Sequence, residues 1–345
     1  MLKDKIRVAI NGYGVIGRRV ADAVSIQTDM ELVGVADIAH DWRIKIANQK
    51  HYPVFAATSE DEAKMRESGV IVEGSLKDLL SKAQVVVDCA PKNVGASNVA
   101  KYQDAGVKFI IQGGEKHSVT GHSFVAESNY EQTLGLQSTR VVSCNTTSIV
   151  RTLTALKQAG LLKRARGTLL RRATDPWESH LNGIMNTLVP EAHIPSHQGP
   201  DAQSVDPDLD VITMAVKVPE TLAHVHFWNV QLTKAVTREE VLATFRKSSR
   251  IAFVKMSEGL TAINTIKDLM MEIGRDRDNL YEVALWEDLV EVKGDEIFYA
   301  YMVDNQAIVI PETIDAIRAL AGRTKSAKES IEMTNASLGI RSSFI

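Results

Sequence analysis

Short apolar runs alternate with amphipathic stretches along the first part of the chain. Ile6-Arg7-Val8-Ala9-Ile10 has the pattern of a buried strand, a helix is expected from about Arg18 with Val20, Ala23 and Val24 on one face, and Leu32-Val33-Gly34-Val35-Ala36 reads as a second strand. The alternation continues through a strand at Val70-Ile71-Val72, a helix at 76–80, a strand at 85–89, a helix at 96–105 and a strand at 107–111. Strands that are apolar at every position are buried on both faces, so this half predicts an N-terminal, doubly wound parallel sheet between helices, an α/β arrangement. After Cys144 the texture changes. Long extended runs at 167–173, 212–218, 225–232 and 298–303 are separated by few turn signals, with helices expected at 239–248 and 263–272. That pattern predicts a separate α+β domain, a mostly antiparallel sheet with helices on one side. A last helix, 311–321, opens on Pro311 and Glu312, carries Ile314, Ile317 and Leu320 on one face, and is ended by Gly322. It is expected to pack back on the first domain. The expected division is 1–140 with 305–345, and 141–304.

The totals agree with two domains, since 345 residues exceed what one core usually holds. With 44% hydrophobic and 24% charged residues and a formal charge of -3, the chain shows no basic surface for nucleic acid or for a membrane. No apolar run approaches the roughly 20 residues of a bilayer span. The N-terminus leads into a strand without a signal-peptide core, and two cysteines, Cys89 and Cys144, make no disulfide framework, so a cytoplasmic protein is expected.

Between the first strand and helix stands Asn11-Gly12-Tyr13-Gly14-Val15-Ile16-Gly17. Strand, G-x-G-x-x-G, helix and strand in one short unit is the dinucleotide-binding pattern. Gly12 permits a tight turn, Gly14 lets a pyrophosphate approach the backbone, and Gly17 lets helix and strand pack closely, while the helix N-terminus offers N–H donors. Asp37 ends the second strand at the position of a ribose-binding acid, which favours NAD over NADP, beside the plainer reading of a solvated acid capping a strand. Arg43 nearby offers a counter-charge for a 2′-phosphate. Cys89-Ala90-Pro91 and Gln112-Gly113-Gly114 also fall at carboxyl ends of strands, where such sheets bind ligands. Cys89 itself reads as a buried structural residue.

Arg140-Val141-Val142 is followed by Ser143-Cys144-Asn145-Thr146-Thr147 and then a helical pattern. Ser143, Thr146 and Thr147 are all helix N-cap types. A cysteine at a helix N-terminus has its thiolate favoured and its pKa lowered, which makes Cys144 a candidate nucleophile beside the plainer reading of a small corner residue. Arg171 and Arg172 with those threonines offer a phosphate or carboxylate clamp, or are exposed charges. Pro195-Ser196-His197-Gln198-Gly199-Pro200 is an ordered loop with polar groups for a substrate. His224-Val225-His226 puts two imidazoles on one strand face. With no third ligand at a recognisable spacing, no metal is expected there; a base for Cys144 and a pair of core histidines are the other readings.

Taken together, NGYGVIGRRVADAV (11–24), FIIQGGEKH (109–117), VVSCNTTSIVRTL (141–153), RRATDP (171–176), IPSHQGPD (194–201), HVH (224–226), NLYEVALWEDLVEVKG (279–294) and IPETIDAIRAL (310–320) resemble the archaeal (type II) glyceraldehyde-3-phosphate dehydrogenase family, nearly end to end. The resemblance implies Cys144 as nucleophile and His224 as base, with His226 the alternative. It implies a substrate site of Ser143, Asn145, Thr146, Thr147, Arg171, Gln198 and Gly199. It implies a cofactor site of Gly12, Gly14, Val15, Ile16, Gly17, Asp37, Gly114, Arg172 and Asn305. The chain departs from the family at Ser148, where glycine is usual, and at Gln198, where histidine is usual. Many relatives carry a Thr/Lys pair favouring NADP around Ala36 and Asp37, so Asp37 points to NAD, with NADP the alternative. The implied reaction converts glyceraldehyde 3-phosphate, phosphate and NAD(P)+ to an acyl phosphate through a Cys144 thiohemiacetal and thioester, in glycolysis or gluconeogenesis, within a homotetramer. A dehydrogenase for a related aldehyde such as erythrose 4-phosphate, and a non-enzymatic NAD-binding protein, are the rival readings.

Overall fold

The computed structural model describes residues 5–112, 114–176 and 184–345; Gly113, in the expected Gln112-Gly113-Gly114 turn, lies outside them. The chain forms two compact units, 1–143 with 310–338, and 144–309 with 339–345.

Among the described residues the first unit is built on eight strands: β1 (Ile6–Asn11), β2 (Met30–Asp37), β3 (Val54–Ala56), β4 (Gly74–Ser75), β5 (Val85–Asp88), β6 (Lys108–Gln112), β7 (Ser123–Phe124) and β8 (Ser138–Val141). Their order is β4-β3-β2-β1-β5-β6-β8-β7, and every pairing is parallel. Helices α1 (Val15–Ser25), α2 (Trp42–Gln49), α3 (Ser59–Glu67), α4 (Leu76–Lys82), α5 (Val94–Asp104) and α6 (Ala126–Thr133) alternate with the strands. The apolar runs read from the sequence supply the centre: Val8, Ala9, Ile10, Val85, Val86 and Val87 are fully buried. Ala9, Ala36, Phe55, Leu79, Val86, Tyr102 and Ile111 form one cluster against the sheet. Strand order reverses between β1 and β5, the switch point at which open α/β sheets take ligands.

Val70-Ile71-Val72, expected to be a strand, is not one. The side-chain amide of Asn48 donates to the Ile71 carbonyl at 3.1 Å and accepts from its N–H at 2.8 Å, so a side chain takes the place of a neighbouring strand. Pairing starts at Gly74. The last expected helix spans Val309–Ala321, from just before Pro311, and Gly322 closes it at φ +65° with its N–H on the Ala319 carbonyl. The helix belongs to the first unit from Ile310 onward: Glu312 accepts from the Ala126 N–H at 2.6 Å and Thr313 from Gln112 Nε2 at 2.9 Å. A further helix, Ala327–Leu338, had no reading in the sequence.

The second unit opens on α7 (Cys144–Gln158) and carries β9 (Leu162–Arg172), β10 (Val189–Pro190), β11 (Val211–Val218), β12 (Ala223–Leu232), β13 (Ile251–Val254), β14 (Val283–Trp286), β15 (Glu291–Lys293) and β16 (Glu296–Asp304). The order is β10-β11-β9-β12-β16-β14-β13, with β15 beside β16. The pairings are antiparallel except β11 with β9 and β14 with β13. The helices do not keep to one side. His226, Trp228, Tyr299 and Tyr301 share the sheet face that meets α7, through Asn145 and Ser148, and meets the helix Arg238–Phe245, through Phe245. Residues of Ile263–Glu272, namely Ile266 and Met270, cluster instead with Ala284, Ala300 and Met302 on the opposite face. That helix covers only the β14–β13 end of its face. The division also differs from the expected one at the C-terminus. The tail 339–345 returns to the second unit, where Phe344 joins its core and the Ser342 carbonyl accepts from Phe253 N–H at 3.0 Å.

The glycine turn after β1 sets a clear test. A Cβ at Gly17 would lie 1.8 Å from the Gly12 carbonyl oxygen, whereas a Cβ at Gly14 would meet nothing within 4 Å. Gly17→Ala is therefore expected to destabilise the protein by about 1–3 kcal/mol, and Gly14→Ala to leave its urea midpoint unchanged. Equal midpoints for the two variants would contradict this packing.

Candidate functional site

In the first unit the sequence brings Gly12, Gly14, Val15, Ile16, Gly17 and Asp37 to the carboxyl end of the sheet. Gly12 turns at φ +95°, a conformation that disfavours any side chain, and a Cβ there would also press on the Cys89 carbonyl carbon at 2.8 Å. The loops after β1 and β5 therefore touch at the switch point. Helix α1 then begins with Gly14 as N-cap and no side chain capping it, so the N–H groups of its first turn are left for an outside acceptor. With open space at Gly14, this is a cradle that fits a pyrophosphate.

Asp37 turns its carboxylate into the turn: it accepts from the Tyr13 N–H in a short contact and from the Ala39 N–H at 2.7 Å. It is not a loosely solvated strand cap. Arg43 is held by Asp41, Nε to Oδ2 at 3.0 Å and Nη2 to Oδ2 at 2.5 Å. Gly114 is exposed beyond β6. Cys89 is partly buried, and desolvation of its thiol, with the Asp88 charge, pushes the thiol pKa well up, as suits a structural cysteine.

In the second unit Cys144 is the first residue of α7, with Ser143 immediately ahead of it. Thr146 and Thr147, also N-cap types, instead lie inside the helix. The Cys144 sulfur is 3.2 Å from His224 Nε2. His224 Nδ1 in turn accepts the backbone N–H of Arg172 at 3.1 Å. A backbone N–H can only donate, so Nδ1 carries no proton and neutral His224 carries its proton on Nε2, facing the sulfur. Burial pushes the imidazole pKa well below its ordinary value, with Arg172, His226 and Arg171 adding to the effect. In this tautomer His224 donates to a thiolate and does not take up the thiol proton.

The Cys144 thiol differs from the expectation of a lowered pKa. Burial pushes it up, and the charges of Arg172 and Arg171 and the Asn145 N–H pull it back only in part. A thiolate needs donors in place of the water it loses. His226, the alternative base, has both ring nitrogens engaged away from the sulfur: Nε2 is 2.8 Å from Asn145 Oδ1, Nδ1 is 2.9 Å from Tyr301 Oη, and burial, with the Arg171 charge, pushes its pKa down to about 3.

Arg171 and Arg172 are half-buried and paired rather than exposed. Arg171 meets Glu191 at 3.0 Å, and Arg172 meets Asp175 at 3.4 Å. Arg172 Nε is buried with no hydrogen-bond partner among the described residues, an open donor that fits an anion. Gln198 is fully buried, its side-chain amide donating to Ser196 and accepting from Arg171. It supports Arg171 and does not lie open to a substrate. Gly199 N–H is likewise committed, to Thr213 Oγ1 at 3.0 Å. Thr146 and Thr147 are fully buried, and the Thr146 hydroxyl donates to Asp201 at 2.6 Å, so neither is free on the surface to form the expected clamp. Asn305 donates to Asp175 at 2.9 Å, and Gln306 to the same oxygen at 3.1 Å.

Glu191 and Tyr301 had no role in the sequence reading, and Asp175 entered it only as part of the RRATDP run. Trp228 carries a signal in hindsight, since it continues the period-two face of His224 and His226. Tyr301 carries none, because its place opposite His226 comes from a pairing 75 residues away. Among the described residues no group of three or more His, Cys, Asp or Glu is placed to hold a metal, and no helix is long and apolar enough to cross a membrane.

Comparison with known proteins agrees with this geometry. Residues 143–288 match the family described as glyceraldehyde 3-phosphate dehydrogenase, C-terminal domain, and residues 6–114 match that described as dihydrodipicolinate reductase, N-terminus. The chain is 44% identical to glyceraldehyde-3-phosphate dehydrogenase of Archaeoglobus fulgidus, over 97% of this chain and 98% of that one. It is 42% identical to the protein of the same name from Methanococcoides burtonii and 43% to that from Thermococcus kodakarensis, each over 97% of this chain and 99% of the relative. By identity along nearly its whole length, the chain belongs to the archaeal-type glyceraldehyde-3-phosphate dehydrogenase family.

Proposed function

We propose that the protein is a phosphorylating dehydrogenase of glyceraldehyde 3-phosphate with Cys144 as its nucleophile. The observation that carries the reading is the sulfur at the first position of α7, 3.2 Å from an imidazole nitrogen that holds its proton toward it. The thiolate adds to the aldehyde carbon, and the C=O electron pair moves onto oxygen. His224 Nε2–H and the N–H groups at the start of α7 are the donors near that oxyanion. When bound, a nicotinamide would supply the hydride acceptor that oxidation of the Cys144 hemithioacetal to a thioester needs. A phosphate oxygen then attacks the thioester carbon, the C–S bond breaks, the thiolate is restored, and the phosphate proton passes to solvent. Arg171, supported by Gln198 and Glu191, favours an anion in that step.

The first unit's glycine turn and uncapped α1 would hold the cofactor pyrophosphate. Asp37, whose oxygens already sit in the turn, favours a ribose with free hydroxyls and repels a 2′-phosphate, so NAD is the preferred cofactor. Arg43 is engaged by Asp41 and would have to share that partner to serve NADP. A homotetramer fits the uncovered part of the second sheet, where Ile212, Met214, Phe227 and Phe298 are exposed together among the described residues. A cytoplasmic setting suits two free cysteines.

Four measurements test these statements. NAD(P)H formation from glyceraldehyde 3-phosphate should require inorganic phosphate, and Cys144→Ser should abolish turnover while still binding cofactor; substantial turnover in that variant excludes the covalent route. In the same assay, kcat/KM should rise with pH as the Cys144 thiol ionises, and His224→Ala should move that limb to higher pH, because it removes a donor to the thiolate; a limb that stays in place argues against the assigned tautomer. Asp37→Ser should shift the ratio of kcat/KM for NAD over NADP toward NADP by about tenfold, the size of one charged hydrogen-bond partner, and an unchanged ratio would leave Asp37 a turn residue only. For the assembly, Phe227→Asp should lower the mass seen by light scattering, and an unaltered mass would place the interface elsewhere.

A further inference from the structure

Beyond Cys144 and His224, a second line of buried polar groups ends at the same sulfur. It runs from Trp228 Nε1 to Tyr301 Oη at 3.0 Å, from Tyr301 Oη to His226 Nδ1 at 2.9 Å, from His226 Nε2 to Asn145 Oδ1 at 2.8 Å, and from Asn145 Nδ2 to Cys144 Sγ at 3.8 Å. We propose that this is a one-way hydrogen-bond chain in which Trp228, Tyr301 and His226 are positioning residues that fix the Asn145 side-chain amide with its NH2 group toward the nucleophile. The proposal rests on Cys144 being that nucleophile.

The direction follows from what each group can do. An indole N–H only donates, so Tyr301 Oη accepts from Trp228 and has one proton left to give. His226 Nδ1 at 2.9 Å and Ser148 Oγ at 3.3 Å compete for it, and the Thr152 hydroxyl, whose own proton goes to the Ser148 and Ile149 carbonyls, also stands beside the ring oxygen. The shorter contact assigns the proton to Nδ1, while the Ser148 hydroxyl spends its own proton on the Asn145 carbonyl at 2.8 Å. With Nδ1 an acceptor, neutral His226 must carry its proton on Nε2 and donate to Asn145 Oδ1. The Asn145 amide is then left with only its nitrogen to face the sulfur. Reversing the Tyr301 proton reverses every later step and turns the amide oxygen, a partial negative charge, onto the thiolate.

The surroundings keep water from scrambling this order. His226 and Tyr301 are 0% exposed, Trp228 2% and Asn145 4%. His226 is neutral because burial holds its pKa near 3, so its two nitrogens must be one donor and one acceptor. The register that sets His226 opposite Tyr301 and Trp228 opposite Tyr299 fixes the links across the sheet. On the other flank Trp228 faces Gly167, where a Cβ would come within 2.7 Å of the indole ring. The chain has a purpose at this sulfur, because burial works against the thiolate and each aimed donor offsets part of that cost.

The test compares iodoacetamide alkylation of Cys144 across pH, together with kcat and KM, in wild type, Tyr301→Phe, Asn145→Ala, the double variant, His226→Gln and His226→Leu. Tyr301→Phe keeps the ring and loses only the hydroxyl. It should move the alkylation profile to higher pH and lower kcat by about tenfold, the usual effect of one hydrogen bond to a charged group, with KM changed less than kcat. Asn145→Ala should do the same, and adding Tyr301→Phe to it should add little. His226→Gln, whose amide can still donate to Asn145 Oδ1, should retain more activity than His226→Leu. An unshifted profile in Tyr301→Phe, or full additivity in the double variant, overturns the chain. A wild-type protein that keeps its activity after one equivalent of iodoacetamide has modified Cys144 would instead overturn the nucleophile itself, which separates the two failures.

Discussion

Removing a sulfur from water while asking it to be negative is the constraint around which the second unit is arranged. Burial raises the Cys144 thiol pKa, and the structure answers with fixed donors and positive charge: His224 Nε2–H, the Asn145 side-chain amide and backbone N–H, and the guanidinium charges of Arg171 and Arg172. Most of these stand where they do because of strand register. In β12 the residues 224, 226 and 228 alternate onto the face toward α7, and pairing with β16 brings Tyr301 to the same face. A slip of one residue would turn the imidazoles to the opposite face of the sheet and leave the sulfur without these partners. Gly167 belongs to the same arrangement, since only a residue without a side chain leaves room for the Trp228 ring.

The two units differ in how much the sequence disclosed. In the first, local pattern was nearly sufficient. Apolar strands, one glycine turn and one acid made a βαβ unit readable within some thirty residues, and the structure places each of them at the switch point. The failure at Val70-Ile71-Val72 is instructive, because the run has strand composition but Asn48 occupies its backbone groups. In the second unit, the long strands and Cys144 at a helix start were visible, whereas the parallel β9–β11 and β13–β14 pairings and the tail's return to β13 depend on segments far apart in sequence. The roles of individual polar residues were the least legible. Thr146, Thr147 and Gln198 are chemically suited to a substrate, yet burial and partners turn them inward as support. The low pKa of a cysteine at a helix start was a sound local expectation that desolvation overrode.

The adjacent arginines show why sequence neighbours need not share a task. Successive side chains of an extended strand point to opposite sides, so Arg171 and Arg172 at the end of β9 do not naturally close on one anion as a two-finger clamp. Their partners divide accordingly. Arg171 is tied to Glu191, in the loop after β10, and to Gln198, the first residue of the helix Gln198–Gln203. Arg172 is tied to Asp175, the same carboxylate that receives Asn305 and Gln306, and its backbone N–H sets the His224 tautomer. This division fits the proposed roles that family resemblance implies, Arg171 for the substrate and Arg172 for the cofactor side. It also means that a lysine at either position would keep the charge near the sulfur but lose the fork that reaches its carboxylate, so charge conservation alone would not preserve the site. At position 172 the backbone N–H would still hold His224 Nδ1, which makes the tautomer insensitive to the side chain that follows it.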